Sequence, residues 1–273
     1  MFGDRPNEYP RCVLYVAAHP DDAEFMAGGT LARWAANGAD IYYLLVTDGI
    51  GGSRDPDQTP ESLASIRRAE QRNAAKVLGV AGVTFLGYPD GWVEPSLELR
   101  LAIAREIRRV RPDVVVTQDP LFRYSPSYIN HPDHRAVADA TLAAIMPTAN
   151  TRLAAIDLLK EGLAPHDVDE VYLTTPTTPT VWMPLTAAEL DRKLQALGQH
   201  TSQLENWHAE QIARRWAMLT ASEARANGIP CDYAEAFTYI RLHVPEDVQP
   251  YSLSHSQAAP LPAFGSEVEI LAV

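Results

Sequence analysis

The stretch Val13–Asp22, VLYVAAHPDD, decides the fold because it joins an apolar strand to a strongly polar loop. Its first half is a short run of Val, Leu, Tyr and Ala, which is typical of a strand buried on both faces. Its second half presents one imidazole and two carboxylates, those of His19, Asp21 and Asp22. Sites in open α/β sheets form beyond the carboxyl ends of the strands, so we expect chemistry at this edge of the core.

Further apolar runs predict the remainder of the sheet. With the first, the predicted strands are Val13–Ala17, Ile41–Val46, Val83–Leu86, Val114–Thr117, Val171–Leu173 and Phe237–Leu242. Helical patterns lie between them: one opens at Thr59–Pro60 and stops at Gly79, and another begins near Leu97. This alternation predicts an α/β fold, a Rossmann-like three-layer sandwich with a mainly parallel sheet. The proline-rich segment Thr174–Pro184 is typical of a loop or an edge strand.

Composition narrows the class of protein. The chain has 273 residues, 46% of them hydrophobic, and a formal net charge of −12. Such an acidic surface disfavours nucleic acid as a partner. Two cysteines without a CxxC pair, and a first segment without a signal-peptide pattern, predict a cytoplasmic protein. No apolar run is long enough to predict a membrane span. We expect one domain over residues 1–244 and a C-terminal extension over 245–273, whose apolar, proline-rich composition is compatible with a homo-oligomer.

A second polar cluster, Asn130–His134 (NHPDH), follows the fourth predicted strand after a loop. In both clusters a proline stands where a helix could begin, because its missing N–H would have no partner there. Positions i and i+3 of a first helical turn share a face. His19 and Asp22 can therefore converge on one point, while the carboxylate between them points elsewhere. His131 and His134 bear the same relation.

Two imidazoles and a carboxylate around an open position suit a catalytic divalent cation, most simply Zn²⁺. Asp21 would then be free to take a proton from water, and a remaining imidazole could give one to a leaving group. A single His-Pro-Asp triplet is more often a capped turn than a site. Two of them, each after a predicted strand, favour a metal site.

Several segments resemble the LmbE-like, or PIG-L, family of metal-dependent N-deacetylases. The two motifs are contained in AHPDDAEFMAGGTLARWAANGADIYYLLVTDG and NHPDHRAV. The segments RRAEQRNAAKVLGV, FLGYPDG and KLQALGQHTSQ extend the match, so it covers about residues 12–205 in order. The resemblance implies hydrolysis of an N-acyl group, typically the acetyl group of an N-acetylglucosamine unit, to acetate and a free amine.

The same resemblance implies roles for the residues of the two motifs. The implied metal ligands are His19, Asp22 and His134, holding Zn²⁺ or alternatively Fe²⁺. Asp21 matches the general base. His131 matches the general acid or oxyanion partner, and Asp133 would hold and polarise that imidazole.

Three residues are candidates for contacts with the substrate. Arg54 lies in the glycine-containing loop after the second strand, and Asp90 lies in YPDG. Tyr128 stands three residues before His131, whereas related enzymes place a tyrosine two residues before that histidine. His200 matches a family feature whose contribution the sequence does not define.

Two alternative functions stay open at this point. One is an amidase that acts on a thiol-cofactor conjugate, within the same family. The other is an iron oxygenase, which uses the same two-histidine, one-carboxylate ligand set. A nucleotide-binding module is disfavoured, because acids stand where a pyrophosphate site needs glycines. We expect the partner to be a small N-acetylated amino sugar.

Overall fold

The computed structural model describes residues 9–53, 55–204 and 208–242 of the chain. Its strands are β1 Cys12–Ala17, β2 Asp40–Thr47, β3 Gly82–Tyr88, β4 Val114–Gln118, β5 Tyr124–Ser125, β6 Tyr128–Ile129, β7 Glu170–Thr174, β8 Val181–Leu185 and β9 Tyr233–Arg241. Its α-helices are α1 Asp22–Ala36, α2 Pro60–Leu78, α3 Leu97–Val110, α4 Pro132–Ala143, α5 Ile156–Lys160, α6 Ala187–Leu197, α7 Thr201–Leu204 and α8 Ala209–Ala226. A 3₁₀ turn at Ile50–Gly52 and an irregular turn at Ala144–Ala149 complete the described elements. The predicted extension 245–273 lies outside the described residues.

Seven strands form one sheet in the order β3-β2-β1-β4-β7-β9-β8. The first five are parallel, and β9 is antiparallel to both of its neighbours, β7 and β8. A mainly parallel sheet is therefore confirmed. The proline-rich segment ends in the edge strand β8, where Pro184 needs no ladder N–H on its open side. β5 and β6 form a separate two-stranded hairpin between β4 and α4, which the sequence did not predict.

The sheet is covered on both faces, which makes the three layers. In β1, Leu14 and Val16 pack in a core with residues of α3 and α4. Val13 and Tyr15 point to the opposite face and pack with residues of α1. This alternation follows from the period of two in a strand. Because both faces of β1 are fully buried, the polar side chains that follow it emerge at the edge of a rigid core.

The helices begin and end where their capping residues allow. The Thr59 side chain accepts a hydrogen bond from the Ser62 N–H, Pro60 occupies the first turn, and Gly79 ends the helix at φ 80°. In the second polar cluster the His131 side chain caps α4, and Pro132 opens it, as predicted. The first cluster differs. There α1 begins at Asp22, two residues after Pro20, so His19 belongs to a turn and not to a helix.

Among the described residues, no helix combines the length and the apolar character that a membrane crossing needs.

Candidate metal centre

Three side chains from two distant segments meet at the carboxyl ends of β1 and β4. The Nδ1 atom of His19 lies 3.1 Å from the Nε2 atom of His134, and that same Nε2 lies 3.2 Å from an Asp22 carboxylate oxygen. The three side chains thus converge on one point. A tight turn produces this convergence, because the His19 backbone N–H donates to the Asp22 carboxylate at 2.9 Å.

Hydrogen bonds on the outer side of each ring fix the atom that it turns inward. The Nε2 atom of His19 lies 3.3 Å from Asp133 and 3.2 Å from Asp90, and a carboxylate can only accept there. The Nδ1 atom of His134 lies 2.9 Å from the Asn130 side-chain oxygen. Each outer nitrogen therefore carries the ring proton, which leaves a lone pair on the inner one.

This arrangement fits a bound divalent cation. The two inner ring nitrogens and the carboxylate oxygen are all acceptors when the rings are neutral, so they repel one another unless a proton or a metal cation stands among them. The candidate ligand atoms of His19, Asp22 and His134 all lie within 4.8 Å of one another. Nitrogen and carboxylate oxygen donors in this number are those of catalytic zinc sites.

The pKa shifts of His19 and Asp22 also indicate that positive charge stabilises the centre. Burial disfavours the charged form of His19. The hydrogen bonds that its ring donates to the surrounding carboxylates, above all to Asp133, nevertheless raise the pKa of His19 well above the usual value. Burial also opposes ionisation of Asp22, but the charge of His134 and contacts with His19 hold its pKa well below the usual value. The metal-free cluster therefore retains protons, which a cation would displace.

A second group of potential ligands, His19, Asp90, His131 and Asp133, shares one histidine with the first. It suits a cation less well, because Asp133 already accepts the backbone N–H groups of Gly91 and Val93 at 2.7 and 3.1 Å. Asp90 likewise accepts the Gly51 N–H at 2.9 Å. We therefore interpret these two carboxylates as the outer partners of His19.

Asp21 stands beside the ligands but does not point at them. Its φ of 96° is left-handed, a conformation that costs a residue with a side chain about 1–2 kcal/mol. Its carboxylate accepts a hydrogen bond from Arg67 at 3.0 Å, and its backbone N–H donates to Gln71 at 3.0 Å. Burial raises the pKa of the Asp21 carboxyl, although the Arg67 charge opposes the shift. A carboxylate with a raised pKa is a stronger base.

His131 lies at the mouth of the centre, with its ring centroid 4.5 Å from that of His19. Its Nδ1 accepts the Asp133 backbone N–H at 3.3 Å, so Nε2 carries the proton. Burial and the charge of His19 lower the pKa of His131. The Asp133 carboxylate lies 3.8 Å from His131 Nδ1 and 3.3 Å from His19 Nε2, so it faces both rings and is closer to His19.

The three candidates for substrate contacts differ in their surroundings, and one of them lies outside the described residues. Asp90 lies against His19, and although burial opposes the shift, that imidazole lowers the pKa of Asp90 to about 2. Tyr128 is half exposed on β6 and stacks on Phe122 with the ring centroids 6.2 Å apart. Arg54 lies outside the described residues.

Several buried polar residues near the centre were missed in the sequence. They are Glu24 on α1 and Arg67 and Gln71 on α2; Asn130, in the second cluster, and His200 were noticed without a role. Arg67, Gln71 and Glu24 stand inside helices, where a polar residue ordinarily faces solvent. The one available signal was their position within segments that already resembled the family.

A cavity of about 750 Å³ opens over the centre. One part of its lining is polar and includes the metal-centre residues with Arg67, Asp90 and Asn130. The other part is mostly apolar and includes Phe25, Met26, Phe122, Trp216, Ala217 and Ala236. The Phe25 and Trp216 rings lie 5.9 Å apart there, and Trp216 is 44% exposed. The cavity lies in the size range of small-molecule sites, about 300–1,000 Å³.

Known proteins resemble the chain over this region. The profile of PIG-L, GlcNAc-PI de-N-acetylase, matches residues 14–145. The diacetylchitobiose deacetylase of Thermococcus kodakarensis is 31% identical over 191 residues, which cover 70% of this chain and 69% of the relative. The 1D-myo-inositol 2-acetamido-2-deoxy-alpha-D-glucopyranoside deacetylase of Kineococcus radiotolerans is 33% identical over 196 residues, covering 60% and 52% of the two chains.

A solved structure matches the fold as well. It is N,N'-diacetylchitobiose deacetylase from Pyrococcus horikoshii, complexed with its inhibitor MPG. The TM-score is 0.76 at 28% identity, and the match covers 85% of this chain and 84% of the other. The likeness in fold thus extends over most of the chain.

Proposed function

The chain belongs to the PIG-L, GlcNAc-PI de-N-acetylase, family, and from this premise we propose that it is a zinc-dependent N-deacetylase of small N-acetylglucosamine-type substrates. It removes the acetyl group and leaves acetate and a free amine. One observation carries the proposal: two ring nitrogens and a carboxylate converge on one point, and Asp21 lines the same cavity as these three residues. Fe²⁺ is the alternative metal.

His19, Asp22 and His134 would hold the metal. When bound, it supplies Lewis acidity, which polarises the amide carbonyl and lowers the pKa of water to about 7. Asp21 takes a proton from the attacking water while the oxygen of that water bonds to the acyl carbon. The C–N bond then breaks, and protonated Asp21 returns the proton to the departing amine nitrogen.

His131 supports this reaction by holding a proton at Nε2. The neutral ring donates a hydrogen bond to the oxygen that becomes negative when water adds to the carbonyl. Its lowered pKa favours this donor role over that of a charged acid. Asp133 and Asp90 keep the ring proton of His19 on the outer nitrogen.

The test is acetate release from a panel of N-acetylglucosaminides by protein reconstituted with Zn²⁺ or with Fe²⁺. We expect turnover that a chelator abolishes and added metal restores. Acetate release that is unaffected by chelation contradicts metal dependence. Oxygen uptake with 2-oxoglutarate and Fe²⁺ favours the oxygenase, and cleavage confined to thiol-cofactor conjugates favours the amidase.

Two further proposals concern the protein in the cell. A cytoplasmic location is supported by Cys12 and Cys231, which are both free thiols. A homo-oligomer stays a prediction, since the tail on which it depends lies outside the described residues. Size-exclusion chromatography with light scattering measures the subunit count.

A further inference from the structure

A chain of buried polar residues leads from the core to the main chain of Asp21. Gln71 accepts the Asp21 N–H at its Oε1 atom and donates from its Nε2 atom to Glu24 at 3.0 Å. The other oxygen of Glu24 lies 3.3 Å from the Nε2 atom of His200. Gln71, Glu24 and His200 are each 0% exposed. These contacts join α1, α2 and the turn after α6 behind a single aspartate.

The direction of the Gln71 amide follows from the residue behind it. A side-chain amide can present either its oxygen or its NH₂ group, and only the oxygen can accept the Asp21 N–H. Glu24 is an acceptor at both oxygens when ionised, so it holds the NH₂ group on its own side. His200 donates from Nε2 to the other Glu24 oxygen, so each carboxylate oxygen has its own partner. The orientation of the Gln71 amide is therefore fixed by Glu24, which is in turn held by His200.

Arg67 fixes the other parts of the same turn. It is 3% exposed, and its Nη2 atom donates to the Pro20 carbonyl at 2.7 Å and to the Asp21 carboxylate at 3.0 Å. Its Nη1 atom donates to the Gly49 carbonyl at 2.5 Å. The left-handed conformation of Asp21 is thus held at the carbonyl before it, at its own N–H and at its carboxylate.

We propose that Arg67, Gln71, Glu24 and His200 form a positioning relay that keeps the Asp21 carboxylate aimed into the cavity. The proposal rests on the proposed function, in which Asp21 is the base. None of the four residues is among the candidate ligands of either group, so the relay acts on the base and not on metal affinity. The four are positioning residues, because the contacts described act through Asp21.

The first experiment uses the isosteric variant Glu24→Gln, which lets the Gln71 amide turn over. We expect kcat to fall at least tenfold, with KM within threefold of the wild type and unchanged zinc content. Arg67→Met should lower kcat further, and Arg67→Lys should recover part of the loss because it restores a cationic donor.

Glu70→Gln is the matched control. Glu70 is a buried carboxylate on α2 that binds Thr201 and Ser202 next to His200, and its variant should keep the wild-type kcat.

A double-mutant cycle separates positioning from a general structural effect. In an Asp21→Asn background, Glu24→Gln should cause no further loss of kcat, because no base remains to be positioned. An equal loss in both backgrounds would overturn the relay. A wild-type kcat in both Glu24→Gln and Arg67→Met would overturn it as well.

Hydrogen exchange at the Asp21 amide gives a readout that needs no substrate. We expect this amide to exchange at least tenfold faster in metal-free Glu24→Gln than in metal-free wild type, and at the wild-type rate in Glu70→Gln. Unchanged exchange in Glu24→Gln contradicts the relay. If the wild type hydrolyses no N-acetylglucosaminide, the proposed function fails, and the exchange rates still decide whether the relay exists.

Discussion

The two imidazoles of the centre are oriented by partners of different charge. His19 lies against the carboxylates of Asp133 and Asp90, whereas His134 lies against the neutral side chain of Asn130. A carboxylate partner increases the basicity of the ring more than an amide does. His19 is therefore the stronger electron donor of the pair, and the outer nitrogen of His134 depends on the hydrogen bond with Asn130.

That dependence predicts the effect of removing the amide. Asn130→Ala should weaken zinc binding by about 10-fold to 100-fold, because His134 loses the acceptor that fixes its tautomer. Asn130→Asp keeps an oxygen at the same position and should bind zinc within a few-fold of the wild type. Competition with a chromophoric chelator measures both affinities. Equal losses in the two variants would instead implicate the Asn130 NH₂ group, which donates to the Phe122 carbonyl.

A second pair of substitutions separates the base from a ligand. Asp21→Asn should retain zinc and lose about 100-fold to 10,000-fold in kcat, because the amide cannot take a proton. His134→Ala should lose zinc itself. Metal analysis after dialysis and acetate release together distinguish the two defects. Wild-type turnover by Asp21→Asn would show that another group is the base.

Residue spacing was enough to predict that His19 and Asp22 converge, and it left open whether His131 or His134 joins them. The resemblance to the family assigned His134. Spacing did not predict that the Asp133 carboxylate lies closer to His19, across the site, than to the neighbouring His131. The backbone N–H groups of Gly91 and Val93 decide this choice, and they come from a loop after β3. A contact that depends on a third segment cannot be inferred from the spacing within one.

At the scale of elements, α6 is attached to its neighbour through its own capping box. The Thr186 side chain accepts the Glu189 N–H, and the Glu189 side chain accepts the Thr186 N–H. Glu189 also receives two hydrogen bonds from Arg33 of α1, both at 2.7 Å. The Glu189 carboxylate therefore caps the first turn of α6 and also joins α6 to α1.

Removing the cap should cost about 1 kcal/mol of the free energy of unfolding in Thr186→Ala, since the Glu189 N–H loses its acceptor. Thr186→Ser keeps the hydroxyl and should lie within a few tenths of the wild type. Urea denaturation followed by circular dichroism measures the difference. A loss in the serine variant as large as in the alanine variant would mean that the cap contributes nothing.

Helix ends and parallel strands could be predicted because their signals are local. The cap at Thr59, the proline after it and the stop at Gly79 all lie within one helix. The start of α1 could not be read in this way. The proline of the first motif suggests a helix there, but the left-handed Asp21 delays it to Asp22. Contacts from Arg67 and Gln71, far along the chain, hold that conformation.

For the whole molecule, the buried histidine of the relay predicts how stability changes with pH. Burial lowers the pKa of His200, but its hydrogen bond and charge contact with Glu24 raise it overall above the usual value. The folded state thus binds this proton more tightly than the unfolded state does. The resulting stabilisation is complete below about pH 6.5 and is lost as pH rises through the folded-state pKa.

We therefore expect the stability difference between metal-free wild type and metal-free His200→Gln to shrink as pH rises from 6 to 9. Urea titrations at each pH measure the free energy of unfolding of both proteins. A difference that grows with pH would mean that His200 is neutral in the folded protein.

The apolar part of the cavity predicts a preference among substrates. Trp216→Ala should raise KM roughly tenfold for N-acetylglucosaminides that carry an aromatic aglycone, because contact area with the ring is lost. The methyl glycoside should change little. Leu219→Ala, on the same helix and exposed outside the cavity, is the control. Equal KM changes for the aromatic and methyl glycosides would contradict a role in aglycone binding.

The sheet has a further consequence for how the polypeptide reaches its native state. Within the described chain β9 is made last, yet it hydrogen-bonds between β7 and β8. During synthesis both of those strands wait with an unpaired side until residue 241 has left the ribosome. Exposed strand edges pair readily with other chains. The nascent protein therefore passes through an interval in which sequestration by a chaperone would be of most benefit, and that interval closes with a single strand insertion.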